Sequence, residues 1–382
     1  MISSPRRYKP RHDAALALAD GRVFRGRGFG ARIDGAGEAV FTTTMTGYQE
    51  VCTDPSFKGQ LVCMTYPMIG NYGIAEGDDE SRQAWIAGLI VREHCEEPSN
   101  WRNSGSIDAY LTNNSIPGIA GVDTRALTRH IRSVGDTRAV LVQDAADLSD
   151  EDLVARARSA HIPGEDNVVS DVALDEIWSD GPLDGPHIVV LDCGVKRNII
   201  RSLLARGARV TSVPYGTPFA NIEAMEPDGV IISPGPGDPA NLDDGLDVVR
   251  ELLTHDIPYF GICLGHQLLA RAIGADTVKL KFGHRGGNHP VLDVRNDKVS
   301  ITAQNHGYMV AGESMPAGSG WSVALSNLND GSVEGLYHTD LPVLSVQFHP
   351  EASPGPLDNG YLFDDFMKLV GSRMIADGKK GS

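Results

Sequence analysis

A cysteine stands in Gly261-Ile262-Cys263-Leu264-Gly265-His266-Gln267, after an apolar run at 257–260 and before a helical pattern. This is the G-x-C-x-G form of the nucleophile elbow, in which the reactive side chain sits on a sharp turn between strand and helix. The flanking glycines let the two elements approach closely, and the strained turn lifts the sulfur above the sheet. There the helix N-terminus favours thiolate over thiol, and backbone N–H groups can hold an oxyanion. Outside that setting Cys263 would read as a buried structural thiol. A second group, His349-Pro350-Glu351, leaves the end of the apolar run 343–348. His349 can take a thiol proton and deliver it to a leaving amine, while Glu351 fixes the tautomer through the far ring nitrogen.

The third group is the loop Ser233-Pro234-Gly235-Pro236-Gly237-Asp238-Pro239, directly after Gly229–Ile232. Its prolines stiffen it and its glycines expose amides that can supply a second oxyanion donor. No G-x-x-x-x-G-K-[ST], G-x-G-x-x-G or metal-ligand pattern occurs. His94-Cys95-Glu96-Glu97 reads as a solvated helix end, and His306 as a structural loop histidine.

Such residues need a scaffold, and the text from 187 onward supplies one. Strands at His187–Asp192, 209–213, Gly229–Ile232 and 257–262 alternate with helices at 197–206, 246–255 and 266–272. Gly207 is placed to close the first helix. This rhythm predicts an α/β parallel or mixed sheet flanked by helices, with its site at the carboxyl ends of the strands. The stretch 278–348 is more β-rich. The N-terminal part reads as a β-rich α+β domain, with strands at 14–19 and 39–43 and helices at 122–132 and 148–160. Asp123 or Thr124 caps the first of these helices, and Leu127 and Ile131 share one face. The Gly/Arg-rich stretch 21–30 reads as two short strands and turns. The turn-rich segment 179–186 separates expected domains at 1–180 and 186–375.

The 382 residues hold 34 Lys and Arg against 50 Asp and Glu, a net charge of −16. That balance opposes nucleic-acid binding and suits a small polar substrate. No apolar run approaches the roughly 18 residues of a membrane span. Residues 1–12 carry Arg6, Arg7, Lys9 and Arg11 without the apolar core of a secretory signal, and read as a solvated tail. Five cysteines without a C-x-x-C pair point to free thiols in a reducing, cytoplasmic setting.

Four motifs between 186 and 372 (S-P-G-P-G-D-P, G-I-C-L-G-H-Q, Q-N-H-G-Y and Q-F-H-P-E) resemble the class-I glutamine amidotransferase domain. The stretch F-T-T-T-M-T-G-Y-Q-E-V-C-T-D-P-S-F-K-G-Q-L-V-C-M-T-Y-P-M-I-G-N-Y-G from Phe41 is similar to the small-subunit family of carbamoyl phosphate synthases. So are G-V-D-T-R-A-L-T from Gly121 and H-P-E-A-S-P-G-P from His349. The resemblance implies a Cys263–His349–Glu351 triad and an oxyanion hole formed by the Gly235 and Leu264 amides. It implies glutamine held by Ser56, Gly235, Gly237, Leu264, Gln267, Asn305, Gly307 and Tyr308. Three positions depart from the family pattern: Pro234 stands for Asn, Tyr308 for Phe and Cys193 for an aromatic residue.

The resemblance further implies a large synthetase subunit as partner, in a heterodimer or higher assembly. That partner would use ATP, Mg and bicarbonate to make carbamoyl phosphate for arginine and pyrimidine biosynthesis. This chain itself would carry no cofactor or metal, and no nucleic-acid or membrane partner is expected. The rival readings are the amidotransferase of an anthranilate or GMP synthase, a cysteine hydrolase or peptidase, and a non-catalytic subunit. The N-terminal stretch opposes the first, and the intact Cys, His and Glu oppose the last.

Overall fold

The computed structural model describes residues 12–161, 168–376 and 378. The basic stretch read as a tail lies outside them, apart from His12. Two compact units emerge, one from 12–41, 59–76 and 86–161, the other from 42–58, 77–85 and the residues from 168 on. The second unit therefore includes two segments that a linear division near 180 assigns to the first domain.

The first unit is a closed barrel. Its strands are β1 (Asp13–Leu18), β2 (Val23–Gly30), β3 (Gly35–Thr42), β4 (Gln60–Met64), β5 (Gly88–Ile90), β6 (Pro117–Ala120) and β7 (Thr137–Gln143), ordered β1-β7-β3-β4-β5-β6-β2. Closure leaves no edge strand unpaired. The Gly/Arg-rich stretch forms one continuous strand, β2, because Asp13–Ala17 and Pro117–Ala120 flank it on both sides. Helix α1 (Thr124–Val134) starts at Asp123, whose carboxylate accepts from the Ala126 amide, and buries Leu127 and Ile131. Helix α2 (Asp150–Ser159) is capped by Ser149. His94 lies in a short strand pairing Glu93–His94 with Met68–Ile69 and stacks on Phe29, so the helix-end reading of 94–97 is corrected. Glu93 and His94 pair in register with Met68–Ile69 instead of winding into a helical turn.

The second unit is built on one ten-stranded sheet. Its strands are β8 (Trp178–Asp180), β9 (His187–Asp192), β10 (Arg209–Pro214), β11 (Gly229–Ile232), β12 (Tyr259–Ile262), β13 (Thr277–Asp293), β14 (Lys298–Val310), β15 (Trp321–Asn327), β16 (Val333–His338) and β17 (Val343–Val346). Their order is β8-β10-β9-β11-β12-β17-β16-β14-β13-β15. The five strands from β10 to β17 in that order are parallel. Trp178–Asp180 pairs antiparallel with β10, so the turn-rich segment begins as an edge strand.

Strand alternation explains the two helical layers. Val189, Leu191, Val230 and Ile232 face a core that includes Val249 and Leu252 of α4 (Asp243–Thr254) and Leu268 and Leu269 of α5 (Leu264–Ala272). Ile188, Val190, Ile231 and Phe260 face the other core, with Ile199 and Leu203 of α3 (Arg197–Leu204). Because both faces are covered, β9 reads as an unbroken apolar run. The second core also takes α6 (Tyr361–Ala376), absent from the sequence reading although Leu362, Phe366 and Val370 recur every fourth residue.

Strand and helix meet most closely around the elbow. A Cβ on Gly265 would lie 2.3 Å from the Ile232 carbonyl oxygen, and one on Gly261 would lie 2.8 Å from the Gly265 backbone. Gly265→Ala is expected to destabilise the chain by roughly 1–3 kcal/mol through overpacking. A urea midpoint equal to that of the parent would show that strand and helix can separate at no cost.

Candidate active site

Three neighbouring parallel strands, β11, β12 and β17, end at the same edge and release the three motifs. The Ser233–Pro239 loop follows β11, Cys263 follows β12, and His349 leaves the chain beyond β17. Cys263 has φ 52 and ψ −98 immediately before α5. Its amide still donates to the Val346 carbonyl at 2.8 Å, so the sheet pins the turn. The side chain is 2% exposed. Its Sγ lies 3.8 Å from the Asn305 carbonyl and 3.6 Å from Gln347 Nε2.

His349 is buried, and its amide donates to the Ala303 carbonyl of β14. Its Nδ1 is 2.7 Å from Glu351 Oε1. Nε2 is buried and makes no hydrogen bond of ordinary geometry, which leaves it available to the reacting atoms. Burial alone would lower the His349 pKa; the charge of Glu351 and the nearby Cys263 sulfur reverse this and raise it. Glu351 has its pKa lowered, because Lys196 and His349 outweigh the opposing effect of burial. Lys196 Nζ is 3.2 Å from Glu351 Oε1 and also donates to the Ala352 carbonyl. This lysine is 2% exposed. Burial opposes its charge, but Glu351, Asp54 and Glu80 hold its pKa above the ordinary value.

In the loop after β11, a Cβ on Gly235 would lie 2.3 Å from the Cys193 carbonyl and 2.8 Å from Leu264 Cδ2. The loop after β11 therefore presses against the first residue of α5. Leu264 stands where a helix leaves its amides without internal partners. Gly237 has φ 94, a conformation that favours glycine. Pro234 leaves this geometry intact, and its carbonyl accepts from the Ser233 hydroxyl at 2.9 Å.

Gln267 points inward, its Nε2 donating to the Tyr308 carbonyl at 2.8 Å and to Gln347 Oε1 at 3.1 Å. Asn305 Nδ2 donates to Asp54 Oδ2 at 2.9 Å, and Asp54 Oδ1 accepts from the Ser56 amide at 2.9 Å. The Ser56 hydroxyl is buried and unpartnered. Gly307 and Tyr308 continue β14 past Asn305 and are half-buried. The arrangement offers a sulfur, an imidazole with a carboxylate behind it, two converging amide-bearing turns and polar groups without partners. Those parts suit acyl transfer from an amide.

The C-terminal part, residues 189–369, matches the model of the glutamine amidotransferase class-I family, and 16–141 match that of the carbamoyl-phosphate synthase small chain, CPSase domain. The chain is 50% identical over 372 residues to a carbamoyl phosphate synthase small chain of Syntrophotalea carbinolica, covering 94% of this chain and 97% of the relative. It is 48% identical over 357 residues to that of Symbiobacterium thermophilum, covering 92% and 97%. For the small chain of Archaeoglobus fulgidus the identity is 47% over 360 residues, covering 94% and 98%. The chain belongs to the carbamoyl phosphate synthase small-chain family. It carries the family's glutamine amidotransferase domain.

Three residues in this site were not among those expected from the sequence. Lys196 and Asp54 are buried charges, which no local pattern announces, and Gln347 lies one position beyond β17. The signal for Gln347 was its place at the head of the Q-F-H-P-E motif, two positions before His349. His306 is a structural residue, its ring nitrogens 2.7 Å from the Tyr308 carbonyl and 2.9 Å from Gln304 Oε1. Ring and carboxylate atoms of His284, His306 and Glu334 lie within 4.8 Å of one another, the one such metal-compatible group among the described residues. Glu334 already accepts from Gln304 and Asn327, so hydrogen bonds account for much of that cluster. Cys193 is buried beside the Gly235 loop, and burial raises its thiol pKa well above the ordinary value. Among the described residues no helix is long and apolar enough to cross a membrane.

Removing the Glu351 charge takes away a major influence that raises His349, while burial continues to lower it. In Glu351→Gln, His349 should release its proton roughly 1 pH unit or more lower than in the parent chain. Histidine-resolved NMR titration checks this, and an unchanged midpoint would show that Glu351 does not control the imidazole.

Proposed function

We propose that the chain is the glutaminase of a carbamoyl phosphate synthase. The observation that carries this reading is Cys263, on a strained elbow, beside a His349–Glu351 pair released from the adjacent parallel strand. Glutamine lodges with its side-chain amide over Cys263, against Ser56, Gly235, Gly237, Leu264, Gln267, Asn305, Gly307 and Tyr308. With its proton already passed to His349, the sulfur adds to the carbonyl carbon as the thiolate, and the oxyanion is held by the Gly235 and Leu264 amides. Loss of one such donor typically costs on the order of 100-fold in rate. The C–N bond then breaks as His349, protonated in the resting site, gives its proton to the departing nitrogen. Neutral His349 next takes a proton from water, whose oxygen attacks the thioester. Glutamate leaves, and the sulfur and imidazolium are restored.

Ammonia is quickly protonated in neutral water, so its use elsewhere favours an enclosed route. A cavity of about 20 Å³, room for one water-sized molecule, borders His349 and is lined by Thr42, Thr44, Lys196, Ala303 and Pro354. In this reading it begins the path to a large synthetase subunit, which uses ATP and Mg with bicarbonate to make carbamoyl phosphate. The product serves arginine and pyrimidine biosynthesis in the cytoplasm. The match at 16–141 favours this assignment over an anthranilate or GMP synthase amidotransferase.

Cys263→Ser in the assembled synthase tests the nucleophile. Glutamine-dependent synthesis should be lost while ammonia-dependent synthesis continues; glutamine use by the variant would sink the assignment. Ser56→Ala tests the substrate contact. It removes one hydrogen bond, worth about 1 kcal/mol, so the KM for glutamine should rise roughly fivefold with kcat little changed. An unaltered KM would take Ser56 out of the glutamine site.

A further inference from the structure

A cavity of about 460 Å³ lies in the second unit between α3 and the β8–β10 edge of the sheet. None of the residues assigned above to glutamine chemistry lines it. Its size falls within the roughly 300–1,000 Å³ typical of small-molecule pockets. Trp178, Val172, Leu174, Ile200 and Leu204 give it apolar walls. Ile200 and Leu204 stand one helical turn apart on α3. Trp178 opposes Ser212 directly across the antiparallel β8–β10 pair, so both side chains stand on the same face.

Ser212 is 1% exposed, it lines the cavity, and its hydroxyl has no hydrogen-bond partner. A buried hydroxyl left unpaired loses its solvation without return, which a bound polar group would restore. Three arginines border the same space, and their existing bonds differ. Arg201 is 3.0 Å from Glu80 Oε1, and Arg82 donates to the Val172 and Ala173 carbonyls. Arg197 is exposed and spends one N–H on the Asp79 carbonyl at 3.4 Å. Asp192 also borders the cavity, but its oxygens accept the Gly194, Val195 and Leu174 amides and are turned to backbone. The cavity therefore combines apolar walls, a buried hydroxyl and, in Arg197, an exposed cation with most of its donors uncommitted.

We propose that this cavity is a second binding site, for a small organic monoanion with a flat apolar body and one carboxylate. The body lies against Trp178 and Leu204, a polar edge meets Ser212, and the carboxylate meets Arg197. The probe is 1-naphthoate, titrated into the full chain and followed by calorimetry, with 1-naphthalenemethanol as the neutral counterpart. Arg197→Glu reverses the cation, Ser212→Leu fills the floor, and Ile200→Trp fills the space from the half-buried face of α3. Near-ultraviolet circular dichroism reports whether each variant is folded; should Ser212→Leu fail to fold, Ile200→Trp carries the same test. The expected result is saturable one-to-one binding, weakened about tenfold or more by Arg197→Glu and by loss of the probe's charge, and abolished by Ile200→Trp. Absence of saturable binding at millimolar probe overturns the proposal. So does binding that Arg197→Glu and Ile200→Trp leave unchanged.

Discussion

A cysteine backbone held at φ 52 is the constraint on which the rest of the second unit depends. A non-glycine residue in such a conformation costs of order 1–3 kcal/mol and persists only where its surroundings over-determine it. Here they do. The strand before Cys263 is paired on both sides, by β11 and by β17, and the Cys263 amide extends the second ladder by one bond. The helix after it presses its backbone onto Ile232 through Gly265, a contact no larger residue permits without displacement. The chain cannot relax the turn without sliding a packed helix off a packed sheet. The sulfur consequently has one place to be.

Charge placement around His349 follows the same logic of over-determination. A lone buried imidazole would stay neutral, and a lone buried carboxylate would pick up a proton. Together Glu351 and His349 keep each other charged, and Lys196 adds a third buried charge with its ammonium 3.2 Å from the same carboxylate oxygen. Buried ion groups of this kind contribute little net stability, because desolvation offsets their attraction. Their effect is to fix geometry: Glu351 has one oxygen shared by the imidazole and the ammonium, so the ring is oriented from behind. Glu80, near Lys196 and 3.0 Å from Arg201, extends the network toward α3.

The candidate site residues were legible where they adjoin strand ends. Cys263, His349 and the Ser233–Pro239 loop each follow a short apolar run, and the parallel sheet delivers all three to one edge. Gln267 was legible as a member of the elbow helix, though its inward direction was not, because one residue on a nine-residue helix can face either way until packing decides. Lys196 was invisible for a physical reason. Lysine is rarely buried, and only three carboxylates brought together from 54, 80 and 351 make this one tolerable. The strand at Glu93–His94 pairs with Met68–Ile69, and the end of β2 pairs with Pro117–Ala120, partners distant in sequence that no local pattern shows.

The division of the chain is the least local feature of all. Composition changes near 185, yet 42–58 and 77–85 pack with the residues that follow 168. Those two segments bring Asp54 to Asn305 and Glu80 to Arg201, and they carry the Ser56 hydroxyl. An amidotransferase half cut at 186 would therefore lack a carboxylate that positions Asn305 and one that helps to charge Lys196. With Glu80 and Asp54 gone, Lys196 would keep Glu351 as its one remaining carboxylate neighbour among the three that raise its pKa. Burial would then weigh more heavily against the ammonium, and the support behind Glu351 and His349 would weaken. The N-terminal segments are thus part of the machinery that orients the imidazole, which gives a physical reason for the two parts of the sequence to stand in a single chain.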